Sequence, residues 1–144
     1  MYTEIEGDLL DLFDKGDFEM IAHGCNCFNI MGAGIATKIK EKYPGAYFAD
    51  KYYPLTPEEK LGNYSTDEDE EIFNIYSQYN EGKNLDYEAL TLALRKINRD
   101  YYGFSIGLPQ IGCGIAGGDW SKVKQIIQKE LKNMYVTVVI YKNY

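Results

Sequence analysis

Residues 108–120 read Leu108-Pro109-Gln110-Ile111-Gly112-Cys113-Gly114-Ile115-Ala116-Gly117-Gly118-Asp119-Trp120. The apolar residues Phe104, Ile106 and Leu108 precede this stretch at alternate positions, and Val123, Ile126, Ile127 and Leu131 follow it at helical spacing. A strand therefore feeds a glycine-rich loop, which feeds a helix. One or two glycines would serve a plain turn. The four present here let a ligand approach the main chain closely, and their N–H groups, with those of the helix start, form a ready anion cradle.

Upstream the pattern repeats. Residues 19–23 read as a mostly apolar strand, Gly24-Cys25-Asn26-Cys27-Phe28-Asn29 as a polar loop, and Met31-Gly32-Ala33-Gly34 as a second glycine cluster. Ile35, Ala36, Ile39 and Tyr43 then mark a helix that stops at Pro44-Gly45. Residues 2–6 alternate like a strand ending at Gly7-Asp8, after which Leu9, Leu10, Leu12 and Phe13 form an apolar connection. A short helix is predicted over residues 46–53, a surface excursion over 55–69, and a strand over 71–78. Asp86 caps a helix whose apolar face is Leu90, Ala93, Leu94, Ile97 and Tyr101, and residues 135–141 are a β-branched final strand. This alternation predicts an α/β layered sheet with helices on both faces, in a single domain over residues 1–144.

Composition narrows the function. A chain of 144 residues that is 45% hydrophobic buries roughly two-thirds of its unfolded surface without a disulfide or metal staple. The three cysteines and one histidine form no zinc-ligand spacing, so no metal and no cofactor is expected. Reduced thiols, the absence of a signal pattern and the lack of a long apolar run predict a cytoplasmic protein with no membrane partner. The net charge of −7 argues against non-specific nucleic-acid binding. An anionic small molecule stays compatible with it, because backbone N–H groups act locally.

Neither glycine loop carries the Lys-Ser or Lys-Thr ending of a P-loop, and no G-x-G-x-x-G stands in register for a dinucleotide fold. The residues instead resemble the macro domain family along nearly the whole chain. Gly7-Asp8 resembles that family's G-D motif, Ile21-Ala22-His23-Gly24-Cys25-Asn26 its I-V-N-A-A-N segment, Met31-Gly32-Ala33-Gly34-Ile35-Ala36 its first phosphate loop, and Ile111-Gly112-Cys113-Gly114-Ile115-Ala116-Gly117 its second. The resemblance implies a three-layer α/β/α fold with a mixed central sheet. It also implies ADP-ribose as ligand, with Asp8 and the adjoining Leu9 at the adenine, Asn26 beside the distal ribose, the diphosphate across the two loops, and Tyr141 flanking the adenine.

His23 and the strings M-G-A-G-I-A and G-C-G-I-A-G-G-D-W are most similar to the branch that contains ADP-ribose 1''-phosphate phosphatases and terminal ADP-ribose glycohydrolases. The aspartate used by the glycohydrolases falls at Ala116, and no lysine stands among Ser77-Gln78-Tyr79 where theirs would be expected. Phosphomonoester hydrolysis of ADP-ribose 1''-phosphate is therefore the expected reaction, with a non-catalytic ADP-ribose reader, or a glycohydrolase acting on an ADP-ribosylated macromolecule, as the alternatives. His23 and Asp119 are the catalytic candidates, one as general acid and one as the carboxylate that orients water. Each also has a structural role open to it, a hydrogen-bonded core histidine and a helix N-cap respectively.

Overall fold

The computed structural model describes residues 1–141. Its elements run β1 (Tyr2–Glu6), α1 (Leu9–Asp14), β2 (Met20–Cys25), α2 (Gly34–Lys42), α3 (Pro44–Lys51), α4 (Pro57–Lys60), β3 (Tyr64–Thr66), β4 (Ile72–Tyr76), α5 (Tyr87–Asp100), β5 (Ser105–Leu108), α6 (Trp120–Glu130) and β6 (Tyr135–Ile140). The strands form one sheet in the order β1-β6-β5-β2-β4-β3. All neighbours are parallel except β3, which runs antiparallel to β4. No helix among the described residues is long and apolar enough to cross a membrane.

Strand alternation divides the core into layers. Met20 and Ala22 of β2, with Phe73 and Ile75 of β4, pack beneath Leu90, Ala93, Leu94 and Ile97 of α5 and Val123 and Ile127 of α6. Ile21 and Ile72 face the other way, against Leu9 and Leu10 of α1, Ile39 of α2 and Ala46 of α3. The result is the three-layer α/β/α arrangement with a mixed sheet. Leu90, Leu94 and Ile97 are fully buried, each contributing roughly 1.5–3 kcal/mol.

Two stretches contain elements that the sequence reading does not assign. The apolar connection after Asp8 is a helix, because the Asp8 carboxylate accepts from Leu10 N and Asp11 N and so caps α1. The predicted surface excursion contains α4 and β3. Thr56 and Glu59 close a reciprocal capping box at the start of α4, which delivers Lys60 into the interior at 5% exposure. Three residues are too few to show a period, so β3 becomes visible only through its pairing with β4.

Candidate functional site

Five strands are parallel, so the loops after β1, β2, β4 and β5 and the end of β6 all emerge at one edge of the sheet. That edge is where ligands collect in open α/β sheets. Stretches far apart in sequence are brought together there in two joined cavities that share Gly34, Ile35 and Pro109.

The cavity at the β1 and β6 end has a volume of about 400 Å³ and is lined by Asp8, Leu9, Lys38, Val139 and Tyr141, among others. Both capping bonds of Asp8 fall on Oδ1, at 3.0 and 3.1 Å, so capping and ligand recognition can be divided between the two carboxylate oxygens. The Lys38 ammonium stands 5.2 Å from the centroid of the half-exposed Tyr141 ring, placing a cation and an aromatic face side by side.

The second cavity, of about 450 Å³, runs from the shared residues towards β2 and β4. Gly32, Ala33 and Gly34 form one wall at the N-terminus of α2, where Ala33 is the N-cap and offers no side-chain acceptor to the first turn. The helix start is therefore open to an anion. Gly34 has φ +60°, a left-handed conformation that a side chain would strain. Opposite stand Ile111, Gly112, Gly114, Ile115 and Ala116. The loop is tied by Gly118 N donating to Gly112 O at 2.7 Å and Gly117 N donating to Gly114 O at 3.1 Å. The N–H groups of Gly114, Ile115 and Ala116 have no acceptor among the described residues. Two stretches of main chain with unbonded N–H groups thus border one gap.

Asn26 lines the far part of this cavity and braces its own loop. Its Oδ1 accepts from Phe28 N at 2.9 Å and its Nδ2 donates to Ile30 O at 2.8 Å. Two further residues of the expected loops turn elsewhere. Cys113 directs its thiol at Ile111 O, 3.4 Å away, and packs beside the α5–α6 core; burial, then the nearby Asp119 charge, raises its pKa. Gly117 faces the Lys83 side chain.

The structure places both catalytic candidates outside the cleft lining. β2 continues to Cys25, so His23 lies within the strand, fully buried on the face covered by α3, and does not line the cleft. Asn74 Nδ2 donates to Ala46 O and Ser65 Oγ, which leaves Asn74 Oδ1 to accept from His23 Nε2 at 2.7 Å. Nδ1 is then the unprotonated nitrogen; Cys25 Sγ stands 3.8 Å from it and 3.5 Å from Nε2. Burial raises the Cys25 thiol well above its ordinary pKa. Asp119 is the N-cap of α6, accepting from Ser121 N at 2.9 Å, and also stands outside the cleft lining.

A pH dependence follows for His23. Burial lowers its pKa from 6.5, with the Asn74 bond and the Asp50 charge acting in the opposite direction. Below 6.5 the unfolded chain binds a proton that the folded chain refuses, so the stability linked to a neutral His23 is intact above 6.5 and is lost as pH falls towards the lower folded value. Between about pH 7 and about pH 5 the wild-type melting temperature is expected to fall more steeply than that of His23→Gln, which retains an N–H for Asn74. Parallel curves would show that His23 carries no such linkage.

Sequence reasoning missed Lys38, Gln78, Glu81 and Gln110, all of which line the cleft. Gln78 donates to Asn80 O at 2.7 Å and Gly82 O at 3.0 Å, folding the loop after β4 so that Glu81 and Gly82 border the far cavity. The signal available was positional, since this loop follows a parallel strand.

No family model matches the chain. It is 33% identical over 148 residues to an uncharacterised 17.5 kDa protein of Enterobacteria phage T4, covering 94% of this chain and 93% of that one. A segment of 45 residues, 31% of this chain and 16% of the relative, is 51% identical to the ADP-ribose 1''-phosphate phosphatase of Ajellomyces capsulatus. Identity of 28% over 151 residues extends across 98% of the chain and 42% of the DNA ADP-ribosyl glycohydrolase of Mycobacterium tuberculosis. The chain thus spans less than half the length of either named enzyme. Among solved structures, a protein of unknown function from Bacteroides thetaiotaomicron superimposes with a TM-score of 0.82 at 27% identity, covering 97% of this chain and 98% of that one. The macrodomain of Mycobacterium tuberculosis DarG does so with a TM-score of 0.72 at 25% identity, covering 100% and 99%. With its sheet order, its two glycine loops and these relatives, the chain belongs to the macro domain family.

Proposed function

We propose that this macro domain binds ADP-ribose along the two-cavity cleft and hydrolyses the terminal phosphate of ADP-ribose 1''-phosphate. The observation that carries the binding reading is the pair of main-chain donor sets bordering one gap, with Asp8 and Tyr141 at one end and Asn26 at the other. A diphosphate spans such a gap, and the net charge of −7 matters little to donors that act at contact range, because salt screens the more distant carboxylates. The adenine then lies at Asp8, Leu9 and Tyr141, and the distal ribose at Asn26 and Gly24.

With His23 and Asp119 outside the lining, Glu81 is the carboxylate bordering the distal cavity. In the proposed reaction it takes a proton from a water whose oxygen bonds to the terminal phosphorus; the bond from phosphorus to the ribose oxygen breaks, that oxygen picks up a proton from solvent, and Glu81 gives its proton back to solvent, leaving ADP-ribose and inorganic phosphate. General-base assistance of this kind contributes about 10²–10⁴-fold. Glu81→Gln is expected to lower kcat for phosphate release by about that factor while ADP-ribose affinity, measured by calorimetry, stays within roughly threefold. Unchanged kcat would remove Glu81 from the mechanism. No binding of ADP-ribose by the wild-type protein would end the whole reading.

A reading without chemistry is favoured by one observation, that both residues first selected for catalysis stand outside the cleft lining. It predicts ADP-ribose binding with no release of phosphate from ADP-ribose 1''-phosphate and no removal of ADP-ribose from modified protein or nucleic acid.

A further inference from the structure

Asn29 takes φ +58°, a left-handed conformation that asparagine enters more readily than most residues and glycine more readily still. It lies between Phe28 and Ile30, whose N–H groups Asn26 Oδ1 gathers on the cleft side. Asn29 itself points inward. Its Nδ2 donates to Asp50 Oδ2 at 2.7 Å, and Asp50 is 1% exposed. The other oxygen of that carboxylate, Oδ1, accepts from Lys60 Nζ at 2.8 Å and from Tyr76 OH at 2.7 Å.

One buried carboxylate therefore holds three donors, two from the core and one from the loop that borders the cleft. Its core partners are themselves fixed: Lys60 is buried over the Tyr76 ring, and Tyr76 is hydrogen-bonded to Ser65. A hydrogen bond to an ionised, immobile acceptor is strong and directional. Pulling Asn29 inward turns its neighbours outward, and Ile30 and Met31 line the distal cavity but not the cavity at the Asp8 end.

We infer that Asp50 and Asn29 are a positioning pair, fixed from beneath the cleft, that sets residues 26–31 for the distal half of the ligand. The ligand side of this inference rests on the ADP-ribose reading; the loop side does not. Asn29 does not itself line the cleft and so acts through its neighbours Asn26, Ile30 and Met31, which do.

The test uses Asn29→Gly, which adopts the same φ freely and removes only the anchor. Affinity for ADP-ribose is expected to fall about tenfold while affinity for AMP, which lacks the distal ribose, changes by less than about twofold. Amide hydrogen exchange at Phe28 and Ile30 is expected to quicken in the unliganded variant relative to wild type. Unchanged ADP-ribose affinity in the folded variant overturns the positioning role, and an equal loss for AMP overturns its restriction to the distal half. Should the wild-type protein bind no ADP-ribose, the functional reading fails by itself, and exchange then decides the anchor: faster exchange at Phe28 and Ile30 supports it, and unchanged exchange overturns it.

Discussion

Lys60→Met is expected to destabilise the protein by about 3–5 kcal/mol, the scale for breaking one side of a buried ion pair. For a chain of this size that loss corresponds to a fall in melting temperature of roughly 10–16 °C. The reason lies in what would be left behind. Asp50 is 1% exposed and Lys60 5%, with 2.8 Å between Nζ and Oδ1. Methionine fills much of the lysine volume, but the carboxylate keeps only the neutral donors of Tyr76 and Asn29. A buried charge without its counter-ion carries the desolvation cost in full. Replacing both partners, as Lys60→Met with Asp50→Leu, removes the charge together with its partner and is expected to cost less than the sum of the single changes. Urea denaturation of the two single variants and the double variant measures the coupling. Additive losses would show that the pair is not energetically linked.

The helical layer was open to reading because its pattern repeats. Leu90, Ala93, Leu94 and Ile97 share one face of α5, and all four are buried. Asp86 and Asp119 stand at the N-caps where their side chains accept from Ala89 N and Ser121 N. The glycine loops were legible for a different reason, since four glycines exceed what a turn requires. His23 was misplaced because alternation tells which residues share a face and is silent on what covers that face. Only the packed position of α3, through Ala46 and Asp50, shows that this face is closed. Lys38, Gln78 and Glu81 carry no local mark either. They enter the cleft because the strand order sets β2, whose following loop leads into α2, between β5 and β4, so that the loops after all three strands border one cleft. Sheet order is a long-range property, and no window of sequence contains it. The same holds for Asp50 and Lys60, whose charges would ordinarily predict solvent and which instead meet each other inside.

Gly118→Ala is expected to weaken ADP-ribose binding by roughly 10–100-fold and to cost about 1–3 kcal/mol of stability, the usual scale of an overpacked site. Gly118 lines neither cavity, yet it closes the loop that does. Its N–H donates to Gly112 O at 2.7 Å, and a Cβ on Gly118 would stand 2.6 Å from that same oxygen and against a methyl of Leu85. The leucine methyl can rotate aside. The carbonyl cannot, because moving it breaks the bond that fixes the two ends of the loop. Once the ends separate, the segment that carries the unbonded N–H groups of Gly114, Ile115 and Ala116 is no longer held, and a diphosphate must order it on binding. Gly114→Ala is the control for stability, since a Cβ there meets nothing within 4 Å. Calorimetry with ADP-ribose and thermal melting of both variants separate crowding from a general intolerance of side chains in the loop. Equal destabilisation by the two substitutions would overturn the argument from the Gly112 carbonyl.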